Sequence, residues 1–443
     1  MTDKIASAYS AHFQTILNQT ESALRATGHR ACVIAAGSAH GMFLDDMDYP
    51  FKTNPHFQRW VPVGDAAHSA LVIEIGKTPR LLHYRPDDYW HKAPEVPTGF
   101  WVDHFDIVSV SDLGNMRDAL PEGAAAAPLI AEKRDQFKDW GLGEQNPEGL
   151  LNHLHFHRAW KTDYEIACME VATKKAVKAH RAALNAYQNG ASEYEIHQAY
   201  LLAAGHVEHE LPYGNIIAYG ENAAVLHYTH LPRQHPDGIP PSFLIDAGAT
   251  HNGYASDITR TYTAHGGEFA EMIDAMDEAQ IRLCETIKPG LNFADLHLQA
   301  HAEVATMLNR FKIVKCSAEA ALESGLTRTF LPHGLGHLLG LQVHDIGGLQ
   351  AGPDGGIIER PDGHPYLRLT RTLETSWVTT VEPGLYFIPS LLKKLAQTPA
   401  GGEINWEKVE SLKPFGGIRI EDNVLVTENG QRNLTREEEA RTA

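Results

Sequence analysis

Ile5, Tyr9, Phe13, Ile16, Leu17 and Leu24 recur at the three-and-four spacing that puts apolar side chains on one helix face, and Gly28 is placed to end that helix. The run ACVIAA that follows reads as a short buried strand. Further strand-like runs lie at 70–75 (ALVIEI), 81–84 (LLHY), 105–110 (FDIVSV) and 128–132 (PLIAE), with Gly, Pro and Asp turns between them. Residues 1–160 are therefore expected to form an α/β domain, and residues 161–443 a second domain.

The second domain opens on a long helical pattern from Lys161. Thr162 and Glu165 form a capping box at its start, Gly190 is available as its stop, and Ser192 with Glu195 repeats the box for the next helix. The spacing predicts two more helices, over 268–287 and 294–309. Most of the remainder alternates like antiparallel strands between Gly- and Pro-rich turns, so this half is expected to be α+β. No solenoid-period repeat or low-complexity tract stands out.

Length and composition narrow the classes. A chain of 443 residues, 43% apolar, can bury one or two sizeable cores. Its 56 acidic against 38 basic side chains, a formal charge of −18, argue against nucleic acid or an anionic membrane surface as partner. Cys32, Cys168, Cys284 and Cys316 show no C-x-x-C pairing, so a disulfide framework and a thiolate zinc site are both disfavoured. The first twenty residues lack an apolar signal core and no long apolar run occurs, so a cytoplasmic location is expected.

Four carboxylates sit at or beside apolar, strand-like runs: Asp246 in SFLIDAG, Asp257 in YASDITRTY, Glu382 in WVTTVEPGLYF and Glu421 in GGIRIEDNVLVT. Any one alone could face solvent or cap a turn. Four together imply cations, because burying uncompensated carboxylates is expensive, and two divalent ions would balance them. The stretch FLPHGLGHLLGLQVHD adds imidazoles. His333 and His337 are spaced as in a zinc-binding H-E-x-x-H helix, yet Pro332, Gly334 and Gly336 make a regular helix improbable and no Glu lies inside the pair. The glycines instead allow close backbone approach. Most of the 26 histidines are expected to be structural or exposed, the run His153, His155, His157 included; His227, His333, His337 and His344 are the exceptions. Four carboxylates and an imidazole make a hard site suited to Mn²⁺ or Mg²⁺, with Zn²⁺, Co²⁺ or Fe²⁺ as alternatives. Two neighbouring ions would activate water and polarise the bond it attacks, so hydrolysis is the expected chemistry.

The order Asp246, Asp257, His337, Glu382, Glu421 resembles that of the pita-bread metallopeptidases, which include methionine aminopeptidase, aminopeptidase P and prolidase. FLPHGLGHLLGLQVHD, TVEPGLYF, FLDDMDYPFKTNPHF and KPFGGIRIEDN are similar to the bacterial Xaa-Pro dipeptidases, over essentially the whole chain. Some of those enzymes are also called organophosphorus acid anhydrolases. The resemblance implies a creatinase-like α/β N-terminal domain followed by a pita-bread α+β catalytic domain, and two divalent ions per subunit, Mn²⁺ preferred. It makes Asp257 and Glu421 the bridging ligands, Asp246 a ligand of one ion, and His337 with Glu382 ligands of the other. Glu382 would double as general base and acid, and His227, His333 and His344 would line the substrate site. Arg419 matches an arginine behind the ligands or in the pocket, with a plain surface ion pair as the alternative.

Arg368 or Arg371 would hold the dipeptide's terminal carboxylate, with Arg368 preferred. Asp46 is the candidate for a residue reaching across a homodimer to the substrate's free amine, against the alternative of a turn aspartate. Tyr213 and Phe293 are candidate pocket walls. The implied activity is release of proline from small Xaa-Pro dipeptides, a bond that ordinary proteases handle poorly because proline supplies no N–H, with promiscuous cleavage of organophosphorus triesters. The alternatives are an aminopeptidase P acting on longer Xaa-Pro peptides and a catalytically inactive binding protein that keeps this fold.

Overall fold

The computed structural model describes residues 2–132, 137 and 140–442. It has two compact units: Met1–Cys168 with His251–Tyr254 and Gly352–Gly356, and the remainder of the chain.

In the first unit, helix Thr2–Ala26 buries Ile5, Tyr9, Phe13, Ile16 and Leu24 along one face. Gly28 ends it in the left-handed region, φ +74°, where His29 donates its N–H to the Leu24 carbonyl. A five-stranded sheet follows, in the spatial order Asp106–Val110, Arg80–Tyr84, Ala70–Glu74, Ala31–Ala35, Leu129–Ile130. Its outer pairings are parallel and its inner ones antiparallel. Val33, Val72, Leu82 and Leu129 pack with Met116 and Phe137, while Ile34, Leu71, Ile73 and Leu81 are also buried. Both sheet faces are therefore covered, which explains why these strands read as continuous apolar runs.

Helix Asp163–Gln188 starts at the expected box: Thr162 N–H donates to Glu165 at 2.9 Å and Glu165 N–H to the Thr162 hydroxyl at 3.4 Å. Gly190 stops it at φ +76°. In the second unit, Ser192 and Glu195 box helix Glu193–Ala204. Strands Ile216–Tyr219, Phe243–Asp246 and Thr259–Tyr262 form one antiparallel sheet, and Val378–Val381, Asp422–Thr427 and Gly430–Asn433 another. A bridge between Thr259 and Glu421 joins the two. Helices Glu268–Glu285 and Phe293–Arg310 fall where the spacing placed them.

The expectation of antiparallel strands over most of the remainder is corrected. The strands are only three to six residues long, and short helices occupy Ala318–Glu323, Pro389–Leu395, Trp406–Leu412 and Leu434–Thr442. These helices are too short or too polar for their apolar spacing to register. Residues 331–349 adopt no helix, as Pro332 and the glycines require.

Candidate metal centre

Cross-strand pairing gathers the acidic residues. Asp246, the last residue of its strand, lies opposite Thr259, and Thr259 in turn bridges Glu421. Residues opposite each other in an antiparallel pair project from the same face. The period of two adds Asp257 beside Thr259 and Arg419 beside Glu421. Glu382 follows strand Val378–Val381, and its N–H donates to the Leu335 carbonyl at 2.8 Å. That bond brings the glycine-rich segment alongside. Thr380 N–H then donates to the His337 carbonyl at 3.0 Å. A Cβ on Gly336 would sit 2.2 Å from the Thr380 carbonyl oxygen, and one on Gly334 would sit 2.8 Å from the Leu367 Cα. Only glycine admits this approach.

Within the cluster Arg419 Nη2 donates to Asp246 Oδ2 at 2.6 Å, and its Nη1 to the Tyr386 hydroxyl at 2.8 Å. Arg419 is 4% exposed, so the surface ion pair is excluded. The Tyr213 hydroxyl contacts Asp246 Oδ1 at 2.7 Å and Asp257 Oδ1 more closely still. Thr259 Oγ1 donates to Glu421 Oε2 at 2.6 Å.

Two histidines have their Nδ1 protons fixed by carbonyls, which can only accept. His337 Nδ1–H donates to the Leu338 carbonyl at 2.9 Å, which directs Nε2 to 3.5 Å from Asp257 and 3.6 Å from Glu382. His333 Nδ1–H donates to the Gly334 carbonyl at 2.8 Å, so its Nε2 accepts from the Tyr386 hydroxyl at 2.8 Å. Both His333 nitrogens are engaged by the chain. The His344 ring stands edge-on to His337, centroids 4.5 Å apart. His227 is exposed and close enough for its charge to act on His333 and His344.

Burial and mutual repulsion shape the titrations. Burial, then Asp257, Glu382 and Asp246, push Glu421 well above the carboxylate range. Burial lifts Glu382 to about 7 despite His337 and Arg419, and lifts Asp246 despite Arg419. Asp257 alone is lowered: burial opposes its ionisation, but the hydrogen bond and charge of His337 outweigh it. Burial holds His333 and His344 down at about 4.

These residues fit a cation centre. One phenol proton cannot serve both Asp246 and Asp257, and four neighbouring carboxylates face a single guanidinium. Asp257, His337 and Glu421, all buried, each direct one ligand atom to within 4.8 Å of the other two. Two oxygens and an imidazole nitrogen suit a divalent ion, and Asp246 and Glu382 extend the donor set.

Other expected site residues are spread more widely. Arg368 is exposed, and its charge reaches His344. Arg371 is buried, its guanidinium 4.4 Å above the Trp377 ring and Nη1 donating to the Gly347 carbonyl. It stabilises the chain's own loop. Phe293 is wholly buried at the start of its helix and belongs to the core rather than a pocket wall. Asp46 lies in the first unit on an exposed segment where Phe43 and Leu44 are 88% and 91% exposed. Tyr213 lies inside the carboxylate cluster, its hydroxyl on Asp246 and Asp257. Tyr386 and Thr259 were not foreseen; the only signal in the chain was a polar residue within each apolar strand.

A carboxylate-lined centre on joined antiparallel sheets, with helices packed beside them and an α/β unit ahead, defines a pita-bread metallopeptidase. Residues 7–156 match the N-terminal domain of Xaa-Pro dipeptidases and residues 167–428 match metallopeptidase family M24, and the chain belongs to that family. An Xaa-Pro dipeptidase of Pseudoalteromonas translucida is 49% identical over 439 residues, covering 98% of this chain and 99% of the relative. One of Shewanella oneidensis is 47% identical over 435 residues with the same coverage. Escherichia coli aminopeptidase P with the inhibitor Pro-Leu shares the fold, with TM-score 0.74 and 23% identity over 98% of this chain and 97% of that one. The zinc-substituted enzyme in complex with product gives TM-score 0.73 at 22% identity, with the same coverage.

Proposed function

We propose that the chain is a two-metal Xaa-Pro dipeptidase that releases proline from small dipeptides. The observation that carries this reading is the convergence of buried Asp257, His337 and Glu421 with Glu382 beside them, in a chain nearly half identical to Xaa-Pro dipeptidases along its length. The same relatives favour it over an aminopeptidase P, and the intact set of five ligand residues argues against an inactive binding protein.

Asp257 and Glu421 would bridge two divalent ions, with Asp246 on one and His337 and Glu382 on the other; the oxygen-rich set favours Mn²⁺. When bound, the ions supply Lewis acidity at the scissile bond and make water acidic enough to ionise near neutral pH. Glu382 takes the proton of the attacking water and returns it to the departing proline nitrogen, a double duty suited to a carboxylate beside the reacting water. His344 and His227 would donate to the developing oxyanion. His333, with both nitrogens engaged, would instead position Tyr386 and Arg419. Arg368, exposed and close to His344, would meet the substrate carboxylate.

Exposed Phe43, Leu44 and Met47 support a homodimer whose contact covers this segment and sets Asp46 against the partner's substrate. The unpaired, mostly buried cysteines support a cytoplasmic setting. Among the described residues no helix is long and apolar enough to cross a membrane. The test is to strip metal, add Mn²⁺ stepwise and follow proline release from Ala-Pro. Activity should return as two equivalents bind, and continued silence on full loading would refute the assignment.

A further inference from the structure

A second group of histidines lies outside the carboxylate centre. His297 and His301 stand one turn apart on helix Phe293–Arg310, and His364 reaches them from the turn after Pro361. The spacing of four places the first two on one helix face. His297 Nε2 and His364 Nδ1 are 2.8 Å apart, and one nitrogen from each of the three rings lies within 4.8 Å of the other two. His301 Nδ1 pairs with the Thr327 hydroxyl at 3.0 Å, while its Nε2 is buried with no hydrogen-bond partner. An unsatisfied buried nitrogen on a ring whose centroid lies 4.7 and 4.6 Å from those of two other imidazoles is a costly arrangement for a merely structural cluster.

We infer that His297, His301 and His364 form a second metal site, one that takes a borderline transition ion such as Zn²⁺ rather than the hard ion of the carboxylate centre. Three neutral imidazoles make the donor set of open zinc sites, with metal–nitrogen bonds of about 2.0–2.1 Å and a fourth position left to water. The three ligand nitrogens, already within 4.8 Å of one another, would adjust their spacing on binding. Burial, then the neighbouring rings, hold His297 at about 2 and His301 at about 3, so the triad is deprotonated at neutral pH and ready to ligate.

Two features oppose binding. Arg328 places a positive charge near His301 and His364. Leu335 N–H donates to His297 Nδ1 at 3.2 Å, so His297 carries its proton on Nε2. Ligation through Nε2 moves that proton to Nδ1 and gives up this bond. The Leu335 bond and the 2.8 Å bond between His297 and His364 are both given up, against three metal–nitrogen bonds gained.

The full-length protein and its His301→Ala and His364→Asn variants would be dialysed against buffered Zn²⁺ and their metal content measured. The carboxylate centre is common to all three, so its equivalents cancel whether or not the proposed activity holds. Wild type should retain one equivalent more than either variant, and Zn²⁺ should raise its melting temperature further. Should His301→Ala fail to fold, His364→Asn, on a half-exposed turn, carries the test. Equal Zn²⁺ content in wild type and the folded variants would overturn the site.

Discussion

The Thr259 hydroxyl donates its proton to Glu421 across 2.6 Å, from the strand position paired with both Asp246 and Glu421. This bond fixes which carboxylate oxygen of Glu421 turns toward the centre. Thr259→Val keeps the shape and removes the donor, so metal affinity should fall about 10–100-fold, the scale for losing a group that orients a ligand. A chelator titration of activity reads this, and an unchanged midpoint would show that Glu421 needs no such support.

Glu382→Gln keeps the size and hydrogen-bonding reach of the side chain while removing its proton chemistry. Turnover should drop by at least ~10²-fold with the fold intact by circular dichroism. Near-normal turnover would move the general base elsewhere.

Arg419 pairs with Asp246 at 2.6 Å within the carboxylate cluster. Arg419→Met leaves that carboxylate buried without its partner, which should destabilise the metal-free protein by about 3–5 kcal/mol in urea unfolding. A loss below about 1 kcal/mol would put the pair among weakly coupled surface contacts.

Stability in acid should depend on Glu165. Burial opposes its charge, but Arg59 at 3.4 Å, with His12 and Lys161, pulls its titration down from 4.5 to about 2. A depressed carboxyl stabilises the fold fully above its unfolded pKa and loses that contribution as pH falls toward its folded one. The contribution, on the order of 3 kcal/mol, should therefore be complete above pH ~5 and fade toward pH ~2. Glu165→Gln should flatten the unfolding free energy across that window, and an unchanged slope would assign the acid sensitivity to other groups.

What the chain disclosed by itself follows from the range of the forces involved. Capping boxes at Thr162 and Ser192 and the helix at 2–26 are local, so their residues show them. The four carboxylates were visible because acidic groups are out of place in apolar strands. The roles of Thr259, Tyr386 and Tyr213 depend on which strand pairs with which, and nothing in their own neighbourhood reports that. His297 and His301 carried a helical spacing, but their third partner stands 63 residues further on from His301, and only the fold brings it near.

The most direct test of the account is proline release from Leu-Pro beside Leu-Pro-Pro-Ala-Lys, by protein stripped of metal and then reloaded with Mn²⁺. Proline from the dipeptide, only after reloading, and no cleavage of the longer peptide is the predicted result. Cleavage of the longer peptide, or of neither, would contradict it.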